Sequence, residues 1–238
     1  MKNLIEKIAL AVALVAVLPQ AAVAQDKVEV SAGFDLVSGY IWRGQDCGDV
    51  SIQPSLGISY KGLSLSAWGS TGFESEDTKE FDLTLGYSIS GFSISVTDYW
   101  FDNGPGYFHF HSHNTAHVVE AQIGYDFGFL AFNWYTNLAG NDGVQDDGDR
   151  AYSSYMSIAV PFTLCGLDWS AEVAATPWET SYYNGGANGF EVCDVNVGAT
   201  KTFDLGKKFT LPVFVKAIWN PATEGTYFVA GVSIAFNE

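Results

Sequence analysis

The chain predicts an all-β fold: a transmembrane, antiparallel, up-and-down β-barrel of about twelve strands that follows a cleaved signal peptide. Three observations predict it. From about residue 28 to Phe236, apolar and polar residues alternate over roughly a dozen segments. The connections alternate as well, short turns taking turns with longer loops rich in Gly and Asp. Ionisable residues, finally, fall almost wholly on the parity opposite to the oily one. In hydrocarbon each backbone N–H and C=O must find a partner within the protein, so strands can span a membrane only as a closed, edgeless barrel.

The amino terminus agrees. Lys2 and Lys7 precede the apolar run Ile8 to Leu18, and Ala22-Val23-Ala24 before Gln25 has the small-x-small form of a signal-peptidase site. Residues 1–24 are therefore expected to be a signal peptide and residues 25–238 an outer-membrane β-barrel. No later segment is long and apolar enough for a membrane helix, and no Cys stands at the cleavage point to carry a lipid. The formal charge is −16, of which the leader (Lys2, Lys7, Glu6) contributes +1, leaving −17. Such a balance argues against nucleic acid or anionic headgroups as partners, and the membrane-barrel reading implies outer-membrane lipid and small solutes. Aromatic residues at 15% and charged residues at only 16% suit an all-β wall.

Taken in order, the first strand is expected to run out through Tyr40 and Trp42 to Arg43, with both rings in the outer aromatic girdle. The second places Val50, Ile52, Pro54, Leu56, Ile58 and Tyr60 on one face and Ser51, Gln53, Ser55, Gly57 and Ser59 on the other. Lys61-Gly62 turns the chain into a third strand whose polar parity carries Ser64 and Ser66. The fourth sets Phe81, Leu83, Leu85, Tyr87 and Ile89 against Asp82, Thr84, Gly86 and Ser88. The eleventh aligns Phe209, Leu211, Val213, Val215, Ala217 and Trp219, and the last aligns Phe228, Ala230, Val232, Ile234 and Phe236. Short turns at Lys61-Gly62, Ser90-Gly91, Asp126 to Gly128, Thr163 to Gly166 and Asp204 to Lys208 should face the periplasm, and the longer loops the outside.

Charge placement decides sidedness. A Lys or Arg on the lipid face costs about 2–4 kcal/mol at the midplane and little near an interface. The apolar parity carries only Asp98 and Lys201, both toward strand ends, whereas Glu29, Asp35, Asp82, Glu120, Asp126, Asp168, Glu172 and Asp194 face inward with Arg43 and Lys216. A soluble sandwich or ligand-carrying barrel would invert this pattern. A barrel of about twelve strands allows a narrow watery lumen. The expected function is a porin-like passage for small solutes, cation-favouring because carboxylates outnumber cations along the lumen, with Asp35, Arg43, Asp82, Glu120, Glu172, Asp194 and Lys216 setting selectivity. The alternative is a closed structural or surface-binding barrel, its inward charges a hydrogen-bonded plug and its long loops contacting ligand or metal.

The histidines His109, His111, His113 and His117 crowd the longest loop and the strand after it. In an extended segment the first three share a face, a candidate divalent-metal site that lacks any standard ligand spacing; the other reading is an aromatic loop folded inward as a constriction, with Tyr107, Phe108 and Phe110 against the wall. The acidic run Asp142 to Asp149 lacks the oxygen spacing of a calcium hand. No other cofactor is implied. Of Cys47, Cys165 and Cys193, only the first and last fall on the same side and could bridge. An enzyme is not expected: Ser112 and His113 point to opposite faces of an extended strand, and no nucleophile, phosphate-loop or metalloprotease motif is present.

The run Ser38-Gly39-Tyr40-Ile41-Trp42-Arg43-Gly44, followed by Ile52-Gln53-Pro54-Ser55-Leu56, resembles the opening of the TorF-like porins of Gram-negative outer membranes. These begin with a similar S-x-Y-x-W-R-G and continue into a P-x-hydrophobic strand. The match spans about residues 34 to 70 and is architectural thereafter. It implies a small outer-membrane barrel of transport function and supplies no binding residues to carry over.

Overall fold

The computed structural model describes residues 27–74, 77, 79–111, 114–183, 189–206 and 210–237. The expected signal peptide, His113 and Ser112 of the loop, and Phe209 of the eleventh segment lie outside the described residues. Among the described residues the strands are β1 (Glu29–Val37), β2 (Tyr40–Trp42), β3 (Gln45–Gly48), β4 (Ser51–Tyr60), β5 (Leu63–Gly72), β6 (Glu80–Ile89), β7 (Phe92–Phe101), β8 (His117–Asp126), β9 (Ala131–Gly140), β10 (Ser154–Leu164), β11 (Leu167–Thr176), β12 (Glu191–Asp204), β13 (Thr210–Asn220) and β14 (Gly225–Asn237). Twelve of these form one closed barrel, β1 pairing with β4 on one side and with β14 on the other, while β2 and β3 form a separate hairpin. Each barrel pairing is antiparallel to its neighbour in sequence, so the wall is an up-and-down meander.

The period-two pattern meets this wall directly. Leu56, Ile58, Leu83, Leu85, Ile94, Val96, Ile158, Val160, Val215 and Phe228 are exposed large apolar groups on the outside. The inward parity carries Ser93, Asn133, Ser157, Glu172, Asp194 and Ser233, all buried. In water such an exterior would be an aggregation surface; in a bilayer it is the surface that hydrocarbon wets. The protein is thus a transmembrane β-barrel by its sidedness as well as by its closure.

Short turns at one end are built by left-handed residue pairs. Lys61-Gly62 (φ 50° and 86°), Ser90-Gly91 (50° and 85°) and Cys165-Gly166 (55° and 72°) are two-residue loops with positive φ at both positions. Their twist matches that of the strands they join, which is why such turns dominate tight hairpins. Both exceptions to the charge rule have local explanations. The Lys201 ammonium donates to the Gly166 carbonyl at 3.0 Å, which holds it at the short-turn rim. Asp98, its side chain 24% exposed, pairs with His117 Nδ1 at 2.9 Å near the opposite rim.

The first strand differs from expectation. It ends at Val37, and residues 40–48 turn inward as the β2–β3 hairpin instead of prolonging the wall. Tyr40 is therefore buried and Trp42 packs on luminal aromatics, and neither belongs to the outer girdle. The physical reason lies at Arg43-Gly44, whose φ values of 50° and 75° make it a tight turn of the same kind as the three above.

Sidedness makes a quantitative prediction. Leu85→Arg, in the middle of the lipid face of β6, should lower folding stability in bilayers by about 2–4 kcal/mol, whereas Ser66→Arg on the inward parity of β5 should cost under about 1 kcal/mol. Equilibrium denaturant titrations of folding into vesicles measure both.

Candidate functional site: a luminal arginine held in an aromatic cage

The hairpin crosses the lumen at the long-loop end. Ile41 packs against the apolar cluster of Val37 (β1), Ile218 (β13) and Val229 (β14) on one side. Trp42 joins the opposite cluster of Tyr155 (β10), Ala174 (β11), Cys193 (β12) and Tyr183 of the loop between β11 and β12. The Tyr40 hydroxyl donates to the Glu80 carboxylate at 2.7 Å, beside the equally buried Asp82. Gly44 is held by Asn220, whose side-chain amide donates to its carbonyl at 3.0 Å. A Cβ at Gly44 would collide with the Cys193 carbonyl, so this turn needs glycine for both its φ and its clearance.

At the hairpin tip Arg43 meets Glu120 of β8 in a forked pair, Nη1 donating to Oε2 at 2.5 Å and Nη2 to Oε1 at 2.9 Å. The side chains are 9% and 2% exposed. The Tyr99 hydroxyl donates to Oε1 at 2.8 Å and the Tyr183 hydroxyl to Oε2 at 3.2 Å, so both carboxylate oxygens carry a second donor. Aromatic rings surround the guanidinium carbon at 4.4 Å (Trp42), 4.2 Å (Tyr135), 4.7 Å (Tyr155) and 5.6 Å (Tyr183). A planar, weakly hydrated cation suits such a cage better than an ammonium would.

Two irregularities in the wall flank this site. The β8–β9 register shifts between Val119 and Glu120, and the β11–β12 register shifts at Ala174/Ala175, opposite Cys193. Bulges of this kind re-aim side chains. Here they adjoin Glu120, which grips the tip, and Cys193, whose backbone the tip touches.

Of the residues expected to set selectivity, Arg43 and Glu120 come together directly. Glu172 and Asp194 share the Tyr155 hydroxyl, at 3.0 and 3.1 Å, next to the cage. Lys216 and Asp194 line a cavity of about 30 Å³ together with Arg43, Tyr135 and Tyr155. Asp82 sits with Glu80 under Tyr40. Asp35 stands apart, half-buried on β1 opposite Ser233 and Gln53. Glu80, Tyr99, Tyr135, Tyr155 and Tyr183 were not singled out from the sequence. Tyr99, Tyr135 and Tyr155 carried a signal, because each is a large aromatic on the polar parity of its strand; Tyr183, in a loop, carried none. Toward the short-turn end the lining is Ser55, Gly57, Ser64, Ser66, Thr84 and Ser95, partly or fully accessible. The lumen is therefore accessible and hydroxyl-lined on the β4–β7 side of its short-turn end, where Ser93 and Asn133 are buried, and its other end is closed by the hairpin.

The histidine loop does not fold inward as a constriction. It folds outward over the wall: Tyr107 contacts the outer-face rings Phe81 and Trp100, at 5.7 and 5.8 Å between centroids. His117 Nε2 meets the Tyr107 carbonyl at 2.6 Å, and Phe110 lies 4.2 Å from the His117 ring. Phe108, 91% exposed, points away from the barrel. The constriction expected from Tyr107, Phe108 and Phe110 is thus supplied by the β2–β3 hairpin instead, because the outer wall offers these rings an apolar seat. His109 and His111 lie 4.6 Å apart between ring centroids, and among the described residues no group of three metal-ligating side chains converges. Cys47 and Cys193 are both free thiols, so the candidate bridge is not formed.

The closed, even-stranded meander, oily outside and polar within, defines a membrane barrel of outer-membrane type. Comparison with known proteins gives fold-level likeness only. No protein-family model matches the chain, and no curated protein matches it in sequence. Among solved structures, the chain is similar to the KdgM porin, with 11% identity over 87% of this chain and 99% of that one at a TM-score of 0.45. It is similar to the NanC porin, with 11% identity over 89% and 100% at 0.44. It is also similar to the outer membrane phospholipase A of Escherichia coli, with 13% identity over 88% and 90% at 0.39.

Two outcomes test the geometry of the hairpin. Glu120→Ala leaves a buried guanidinium without its counter-charge, a loss of about 3–5 kcal/mol if the hairpin stays in place. The hairpin relieves that loss by leaving the lumen, so Cys47 in a Cys165→Ser background should react faster with maleimide than in the parent. Asp77 ties the hairpin base to the next loop: its carboxylate accepts the Asp49 amide at 3.1 Å and the Glu74 amide at 2.9 Å. These amides hold its pKa below the usual 3.8. A lowered carboxyl pKa means the tie is fully present above 3.8 and is lost as pH falls through the depressed value. Hydrogen exchange at residues 48–51, corrected for intrinsic rates, should therefore quicken only in strong acid, and Asp77→Asn should show the looser state already at pH 7.

Proposed function

We propose that this protein is an outer-membrane, porin-like channel for small solutes whose passage is throttled by the β2–β3 hairpin. One observation carries the proposal: the wall encloses a hydroxyl-lined, water-accessible space that is obstructed at one end by a chain segment lying outside the barrel's hydrogen-bond ladder. Because β1 and β4 pair with each other directly, the hairpin can leave the lumen without unpairing a wall strand. The N-terminal resemblance to TorF-like porins supports the same reading.

Preference for cations is the finer part of the proposal. Asp35, Glu80, Asp82, Glu172 and Asp194 line the lumen without a direct Lys or Arg salt bridge among the described residues, and Glu120 is matched by Arg43. An excess of inward carboxylate in a low-dielectric wall draws cations and repels anions. A second reading, a closed barrel that acts through its outer loops, is favoured by the buried fork of Arg43 and Glu120, which makes the obstruction a specific structure.

Planar-bilayer recording separates the two. The channel reading expects small or flickering conductance in the parent and larger, steady conductance in Arg43→Ala, with a reversal potential displaced toward the cation potential under a salt gradient. Electrical silence of well-folded parent and variant would establish the closed barrel. Conductance with a reversal potential at zero would remove the cation preference and leave the channel.

A further inference from the structure

The groups that hold Arg43 belong, with one exception, to the barrel and not to the hairpin. Glu120 comes from β8, Tyr99 from β7, Tyr135 from β9 and Tyr155 from β10, and Tyr183 comes from the loop after β11; only Trp42 travels with the arginine. The Glu120 carboxylate is positioned by the Tyr99 hydroxyl, which has no hydrogen bond to the hairpin, and by the Tyr183 hydroxyl, which also accepts from Arg43 Nη1 at 2.6 Å. The barrel and its β11–β12 loop therefore carry the receptor: a buried carboxylate oriented by Tyr99, with three tyrosine rings around the place where a flat cation sits.

We propose that this cage is a binding site for solutes bearing a guanidinium group, and that Arg43 is its tethered occupant. The proposal rests on the channel reading above for its physiological setting, but the site itself does not. Three features select the ligand class. Both Glu120 oxygens are engaged in parallel by two nitrogens of one planar group, a match to guanidinium that an ammonium cannot reproduce. Rings at 4.2 to 5.6 Å on several sides favour a delocalised, weakly hydrated cation. The cage is closed to bulk water, so an inorganic cation would have to shed its hydration shell for a single carboxylate and three apolar faces.

Tethering sets the concentration scale. A short linker presents its end group at an effective concentration on the order of millimolar, so a free solute displaces Arg43 only when it reaches that range or binds with additional contacts. Solute binding and release of the hairpin are then one equilibrium. A guanidinium solute that enters the cage expels the tip, and the segment that obstructed the lumen is freed by the molecule that uses it.

The test is binding of methylguanidinium, well below denaturing concentration, to folded protein in detergent, read by calorimetry and by thermal shift. The Arg43→Ala protein, whose cage is vacated, should bind it and gain thermal stability; Arg43→Ala/Glu120→Gln should bind it weaker by about tenfold or more, since the charged hydrogen bonds are gone. Methylammonium at equal concentration should give no comparable shift in either. Equal affinity of the single and double variants, no binding by the single variant, or equal binding of methylammonium would each overturn the proposal. If Arg43→Ala does not fold, Arg43→Gln, which retains a polar side chain at the tip, is titrated by the same criteria. These readouts need no conductance, so silence in a bilayer would end the channel reading and leave the cage to be judged on its own.

Discussion

The whole structure depends on one closure, the pairing of the first barrel strand with the last. β1 and β14 meet in seven antiparallel pairs, from Ser31 opposite Asn237 to Val37 opposite Gly231. Without this seam both strands would present bare N–H and C=O groups to hydrocarbon, at a cost of several kcal/mol for each unsatisfied group. With it, the sheet has no edge, the outer face can be wholly oily, and the polar parity is forced into a shared interior. The inward carboxylates follow from that geometry.

The interior then faces a problem of its own, which is how to hold charge away from bulk water. The solution at the long-loop end is reciprocal satisfaction. Arg43 and Glu120 neutralise each other, Tyr99 and Tyr183 occupy the remaining lone pairs, and rings cover the guanidinium faces. A buried pair of this kind contributes little net stability compared with an apolar filling of the same shape, but it is intolerant of losing one partner. It therefore specifies where the hairpin tip goes more than it strengthens the fold. The bulges beside Glu120 and Cys193 show the wall departing from regular pairing at the two places where it meets that tip.

Much of this architecture was legible in the residues. Strands with strict alternation, such as 51–60 and 80–89, are oriented as their parity dictates, since the membrane enforces the pattern without competition from a packed apolar core. Asp98 and Lys201 stood out in sequence as exceptions, and each has a rim partner. What parity could not convey is where a wall strand stops. Residues 34–42 continue to alternate through Tyr40 and Trp42, and a hairpin that lies on luminal aromatics has the same oily rhythm as a strand that lies on lipid. Only the Arg43-Gly44 turn marked the difference. The loop after β7 was misplaced for a related reason, because Tyr107 and Phe110 would be equally at home on the lumen wall or on Phe81 and Trp100 outside it. Loop residues such as Tyr183 have no periodicity to read at all.

The direct pairing of β1 with β4 has an evolutionary corollary. The twelve residues from Gly39 to Val50 form an insertion whose length and sequence can drift without disturbing the β1–β4 pairing of the barrel. A lineage could thus exchange the hairpin tip for another side chain, retuning what the interior admits, while inheriting the membrane-spanning scaffold unchanged.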